Sequence, residues 1–247
     1  MGGTHAQCPW FVFFDRAGSP ESTPPGNPKC GMGPSILRLS TAIMTTEHEV
    51  LVLFAHPAIR KSRVNRVLVD AIRGVDGITV HDLYEAYPAH DIDAAREQRL
   101  LTDHQIVVFQ HPLFWYSTPS ILKEWQDLVL QHGWAYGHEG TALHGKLFVS
   151  AITTGGSEES YLDGGPHQHT IIELLAPLRQ TAWLCGMDYL PPFVVHGTHG
   201  LDRAAVDRHA TDYLRTLEAL RDGTFDLEAV REWPRLNRDL ETAIRSR

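Results

Sequence analysis

From Val50 onward the chain alternates two hydrophobic patterns. Short, nearly unbroken apolar runs occur at Val50–Ala55 (VLVLFA), Ile106–Gln110 and Leu147–Ile152. Between them lie longer stretches in which apolar residues recur every three or four positions, as at Val64, Val67, Leu68 and Ala71. A parallel strand covered on both faces produces the first pattern, because neither face meets water. An amphipathic helix produces the second. The reading predicts strands at Val50–Ala55, Ile78–His81, Ile106–Gln110, Leu147–Ile152 and Phe193–Val195. Helices are predicted over Ser62–Ile72 with Ser62 as N-cap, Asp91–Leu101, Pro119–Leu130, Thr170–Leu184 and Asp202–Leu220. Pro177 should kink the fourth of these. Such alternation implies right-handed βαβ units: an α/β fold with a five-stranded parallel sheet and helices on both faces. Open sheets of this kind bind ligands at the carboxyl ends of their strands. The loops after strands one, three and four therefore carry the interest.

The flanks differ from this body, residues 49–222. Residues 1–48 read as a disordered N-terminal extension, since Ser19–Pro34 is dense in Pro, Gly and Ser and can bury little apolar surface. Met44 stands just before the first strand, and the favoured reading takes it as the natural start, which makes the preceding residues dispensable. Residues 223–247 read as a charged, helical tail broken at Pro234.

Composition narrows the function classes. With 22 Lys and Arg against 30 Asp and Glu, the net charge of -8 argues against a nucleic-acid partner and against adhesion to anionic membranes. Of three cysteines only Cys185 lies in the body, so neither a disulfide framework nor a cysteine zinc site is available there. A reducing, cytoplasmic setting fits this usage.

Three loops carry candidate chemistry. The first runs from His56 to Asn65 and opens a helix, so Ser62, Arg63, Val64 and Asn65 would present N–H groups and a hydroxyl to an anion such as a terminal phosphate. Taken alone it is more simply an ordinary N-cap after a His-Pro turn. The second, Pro112–Pro119, places Phe114, Trp115 and Tyr116 where they can pack against a planar ring. In the third, Thr153-Thr154-Gly155-Gly156, two glycines admit close backbone approach. Each signal is weak; together, each at a strand end, they are stronger.

These residues resemble the NAD(P)H:quinone oxidoreductase (DT-diaphorase-like) family, of flavodoxin-like fold. The motifs are His56-Pro57 with Ser62-x-x-Asn65, Gln110-His111-Pro112-Leu113-Phe114-Trp115, His132-Gly133-Trp134-Ala135-Tyr136-Gly137, the run Gly140–Lys146, and Thr153-Thr154-Gly155-Gly156. They recur in order across residues 49–222, and the ancillary oxidoreductases of glutathione-regulated potassium-efflux systems are the most similar branch. The resemblance implies FMN, with FAD as the alternative, and NAD(P)H as a substrate that comes and goes. It assigns flavin contacts to His56, Ser62, Arg63, Val64, Asn65, Leu113, Phe114, Trp115, Tyr116, Thr153, Thr154, Gly155 and Gly156. Phe114 stands where many members carry Gln; a main-chain contact survives that difference, whereas a side-chain amide contact would not. Tyr161 and His167 match the Tyr and His of quinone reductases, implying a donor pair that stabilises negative charge on the flavin and passes a proton to a quinone-like acceptor. The potassium-efflux relatives vary at the Tyr position. Trp134 and Tyr136 would line the substrate pocket, in the family often across a homodimer interface. The resemblance also raises a regulatory alternative: an ancillary subunit that activates a potassium-efflux antiporter at the inner face of the cell membrane.

Other readings fail on their own terms. Gly140–Leu147 nearly spells a P-loop, but Leu147 replaces the magnesium-binding hydroxyl and the run precedes a strand. His132, His138 and His144 recur every six residues, a period that fits no metal-ligand spacing. No G-x-G-x-x-G occurs, which disfavours a tightly held dinucleotide.

Overall fold

The computed structural model describes residues 48–245. The expectations for residues 1–47, including a start at Met44, lie outside them. Strands β1 (Val50–Phe54), β2 (Ile78–Asp82), β3 (Ile106–Pro112) and β4 (Leu147–Thr153) pair in parallel in the order β2-β1-β3-β4. Two short pieces, β5 (Asp188–Tyr189) and β6 (Phe193–Val195), share the outer edge of β4. Together they fill the fifth strand position, so the expected parallel sheet stands, with its last strand in two pieces. The break has a local cause. Pro191 and Pro192 lack the N–H groups a ladder needs, and the register against β4 slips by one residue across them. Only the second piece carries an apolar run, so β5 is missed in the sequence.

Side chains of each strand alternate between two cores. Val50, Val52, Ile106, Val108, Val149, Phe193 and Val195 pack against α1 (Asn65–Ile72) and α7 (Arg203–Arg221). Leu51, Leu53, Val107, Phe109, Phe148 and Ile152 pack against α3 (Ala94–Asp103), α4 (Ser120–Val129), α5 (Ile171–Leu174) and α6 (Ala176–Leu184). Burial on both faces is what makes the strands continuously apolar.

Several helix bounds depart from expectation. α1 begins at Asn65, three residues late, because a 3-10 turn at Ile59–Lys61 leaves Ser62 extended. The N-cap is therefore Val64, not Ser62, and it makes no side-chain cap bond; Ser62 Oγ, two residues earlier, instead accepts the Asn65 N–H at 3.1 Å. α3 begins at Ala94 because the Asp93 carboxylate accepts the Arg96 N–H. A one-turn helix, α2 (Leu83–Ala86), is capped by Asp82 and is too short to show a period in the sequence. The kink expected at Pro177 is a full break: α5 stops, Leu175 leaves helical geometry, and α6 restarts with Pro177 in its first turn, where the missing N–H costs nothing. Beyond α7, α8 (Leu227–Val230), a 3-10 turn at Leu236–Arg238 and α9 (Leu240–Ala243) bury Val230, Leu236, Leu240 and Ala243 in the core on the α1–α7 side. No helix among the described residues is long and apolar enough to cross a membrane.

Candidate functional site

The switch in strand order lies between β1 and β3, and a cavity of about 230 Å³ opens there. Its walls come from the first loop (His56 and Lys61 to Asn65), from Pro112 and Phe114, from Thr153, and from Thr198 and His199 after β6. The amides of Arg63 and Val64 have no acceptor among the described residues, as expected at the open start of a helix. The Asn65 Nδ2 donates to Thr153 Oγ1 at 2.7 Å, while its Oδ1 is buried without a donor among the described residues. Arg63 turns its guanidinium onto the Leu201 carbonyl at 2.8 Å, tying the first loop to the loop after β6. His56 Nδ1 accepts the Ala58 N–H at 3.1 Å, and burial pushes this imidazole below its usual pKa. Its ring meets Phe114 edge to face, centroids 5.8 Å apart.

The second loop is a strained turn. Phe114 accepts the Ser117 N–H at 3.1 Å, and the two central residues, Trp115 (φ 50) and Tyr116 (φ 62), are both left-handed. That geometry suits Asn-Gly and disfavours aromatics. Trp115 is 92% exposed, so burial does not offset the strain. Leu113 is buried and anchors the loop by donating to the Thr153 carbonyl at 2.9 Å. Relieving the turn with Trp115→Asn is expected to stabilise the fold by about 1 kcal/mol, raising the thermal midpoint by about 2–4 °C. A calorimetric midpoint unchanged or lower would show that indole contacts, not backbone tolerance, hold the turn.

The third loop is zipped to the segment after β6: Thr154 N–H donates to Val195 O, Gly197 N–H to Gly156 O and Thr198 N–H to Thr154 O. Thr154 Oγ1 gives its proton to the Gly156 carbonyl at 2.9 Å, so His196 Nδ1 donates to it at 3.2 Å. Gly156 is a packing requirement. A Cβ there would lie 2.7 Å from His167 Nε2 and 3.1 Å from Tyr161 Cε2.

Tyr161 and His167 meet over that glycine, rings stacked with centroids 4.5 Å apart. On its other side His167 shares a 3.2 Å hydrogen bond with the Tyr116 hydroxyl, joining the second and third loops. Tyr161 is buried, and desolvation pushes its phenol up. The cavity wall thus unites His56, Ser62, Arg63, Val64, Asn65, Phe114 and Thr153. Trp134 and Tyr136 are not in it. Both lie after α4, half-buried against the core on the α3–α6 side, which also holds Leu113 and Tyr161, and Tyr136 packs on His132. Lys61, Thr198 and His199 were not singled out in the sequence, and neither was His196. The run His196-Gly197-Thr198-His199-Gly200 follows a strand end like the other three loops, and that position was the available signal.

Residues 48–217 match a family described by its flavodoxin-like fold. The glutathione-regulated potassium-efflux system ancillary protein KefF of Enterobacter sp. is 44% identical over 169 residues, covering 68% of this chain and 94% of that protein. General stress protein 14 of Treponema denticola, solved in complex with FMN, is 42% identical with a TM-score of 0.67, covering 70% of this chain and 99% of that one. An NADPH-quinone reductase structure from P. pentosaceus is 31% identical with a TM-score of 0.62, covering 68% and 96%. Strand order, register and these matches agree, and the chain belongs to the flavodoxin-like fold family.

Proposed function

We propose that the chain is an FMN-dependent NAD(P)H oxidoreductase that reduces quinone-like acceptors. The observation that carries this reading is the cleft at the β1–β3 switch, whose donors fit the cofactor's parts in sequence. The free amides of Arg63 and Val64, with Ser62 and Lys61, suit a phosphate at a helix start. The orphaned Asn65 Oδ1 needs a donor, which a ribityl hydroxyl supplies. Backbone of the Phe114–Tyr116 turn and of Thr154–Gly156 would border the ring. When bound, FMN supplies the capacity to accept hydride from NAD(P)H and deliver it to the acceptor.

The protein's own contribution is orientation and charge. His167, braced between Tyr116 and Tyr161, offers an imidazole proton at the rim of the site. Tyr161, stacked on that imidazole, offers a hydroxyl. The strained aromatic turn presents flat apolar surface to a planar substrate. Trp134 and Tyr136 lie away from the cavity within one chain, which suits a homodimer in which each completes the partner's pocket. Denaturing the purified protein should release FMN, and the native protein should scatter light at twice 27.7 kDa. Release of FAD alone, or a colourless protein that flavin cannot restore to NAD(P)H:quinone turnover, would refute the cofactor reading; a strict monomer with full activity would refute the shared pocket.

The identity to an ancillary protein of potassium efflux favours a second reading, in which the chain also docks on an antiporter at the inner face of the cell membrane. Co-purification with such an antiporter, measured beside quinone turnover, separates the two: turnover with no retention leaves only the enzyme.

A further inference from the structure

We propose that the segment beyond α7, residues 223–245, is a positioning element that holds the Tyr161–His167 loop in place; the functional half of this inference rests on the function proposed above. The family match ends at residue 217, so this segment lies outside the shared fold. It nevertheless grips both walls around Tyr161.

On one wall the segment closes the sheet edge. Leu236 N–H donates to the Pro192 carbonyl at 2.8 Å. The Asn237 side chain then takes both backbone groups of Val194: Oδ1 accepts its N–H at 3.0 Å and Nδ2 donates to its carbonyl at 2.9 Å. One amide side chain thus substitutes for a neighbouring strand along β6. Two residues on, His196 donates to Thr154 and lies 5.6 Å from the Tyr161 ring. Fixing Val194 therefore fixes the surface on which Tyr161 rests.

On the other wall the segment reaches the loop itself. Arg235 Nη1 donates to Glu158 Oε1 at 2.6 Å, and Glu158 opens the 3-10 turn Glu158–Tyr161. The loop's own backbone bonds are local: Ser160 to Ser157, Gly165 to Leu162 and His167 to Ser160. Two adjacent glycines, Gly164 and Gly165, sit within it. Pro234 and Arg235 also cover a cavity of about 180 Å³ bordered by Tyr161, Leu162, Ile171 and Val194. That space borders the loop through Glu158, Tyr161 and Leu162, so a released loop has room to move and carry His167 away from Tyr116.

The test uses the full chain loaded with FMN, in four forms: Arg235→Ala, Asn237→Ala, the exchanged pair Glu158→Arg with Arg235→Glu, and the unaltered protein. Amide hydrogen exchange over residues 157–168 reads loop order without reference to activity. Arg235→Ala is expected to speed it by about two- to fivefold, the range for a half-exposed ion pair. Asn237→Ala, which strips two backbone partners, should reach about tenfold. Quinone turnover should fall in parallel through kcat, with FMN affinity unchanged, and the exchanged pair should restore both to within about twofold. Unchanged exchange in the two single variants overturns the clamp, as does acceleration spread evenly over the whole chain. Faster loop exchange with unaltered turnover overturns the positioning role. If the unaltered protein reduces no quinone, the function reading fails by itself, and the exchange data still decide the clamp.

Discussion

His167→Ala is expected to slow NAD(P)H-dependent quinone reduction about 100-fold, with FMN affinity changed only a few-fold. A positioned acid–base group contributes ~10²–10⁴-fold. The low end applies because the loop after β4 borders solvent, with Gly155 exposed and His167 half-exposed. His167 stands at the junction of two loops, bonded to the Tyr116 hydroxyl and stacked on Tyr161. Removing it takes away both the proton and the link. Tyr116→Phe keeps the imidazole and removes only its partner, and Tyr161→Phe keeps the ring stacked on it, so each should cost less, about tenfold or under. Stopped-flow measurement of both half-reactions separates these effects. Unaltered rates in both for His167→Ala would show that the imidazole is structural.

Acidification from pH 6.5 to 4 is expected to remove about 3 kcal/mol of folding stability through His111 alone. This residue lies in β3, fully buried. Its Nδ1–H donates to the Pro112 carbonyl at 3.0 Å, and its Nε2 has no partner among the described residues. Desolvation, only partly opposed by that bond, pushes its pKa down to about 4 from 6.5. The folded protein therefore refuses a proton that the unfolded chain accepts. Stability is complete above the unfolded value and is lost as pH falls through the window, levelling off below the folded value. His56, His196 and His209 are lowered by burial too and act in the same sense. The comparison with His111→Phe isolates the one residue. Urea unfolding of both proteins at pH 7 and pH 4 should show the gap between them shifting against the wild type by about 3 kcal/mol. A gap independent of pH would mean that protonated His111 finds a partner, for instance through local opening.

The fold was readable in the sequence wherever one residue's environment sufficed. Val50–Ala55 and Leu147–Ile152 are apolar throughout because both sheet faces are covered, and that pattern needs no knowledge of what covers them. The first loop was equally local, since Ser62 Oγ accepts the Asn65 N–H within a few residues. Where local signals competed, bounds moved: Asp93 captured a helix start from Asp91, and Pro177 turned a kink into a break.

The rest depended on residues far apart in the chain. Nothing in Phe114-Trp115-Tyr116-Ser117 announces two left-handed aromatics, because those residue types disfavour the conformation; anchoring of Leu113 on β4 accompanies it. Gly156 reads in the sequence as room for close backbone approach, and nothing in its neighbours announces that Tyr161 and His167 fold back over its Cβ side. The stretch 223–247 read as charged tail, yet Asn237 occupies the edge of β6 from 43 residues away. Periodicity and capping act within a turn or two of the chain, so the sequence alone determined the order of strands and helices and the loops at the strand ends. Which side chains close on one another there depends on contacts between distant segments, and only the folded sheet decided it.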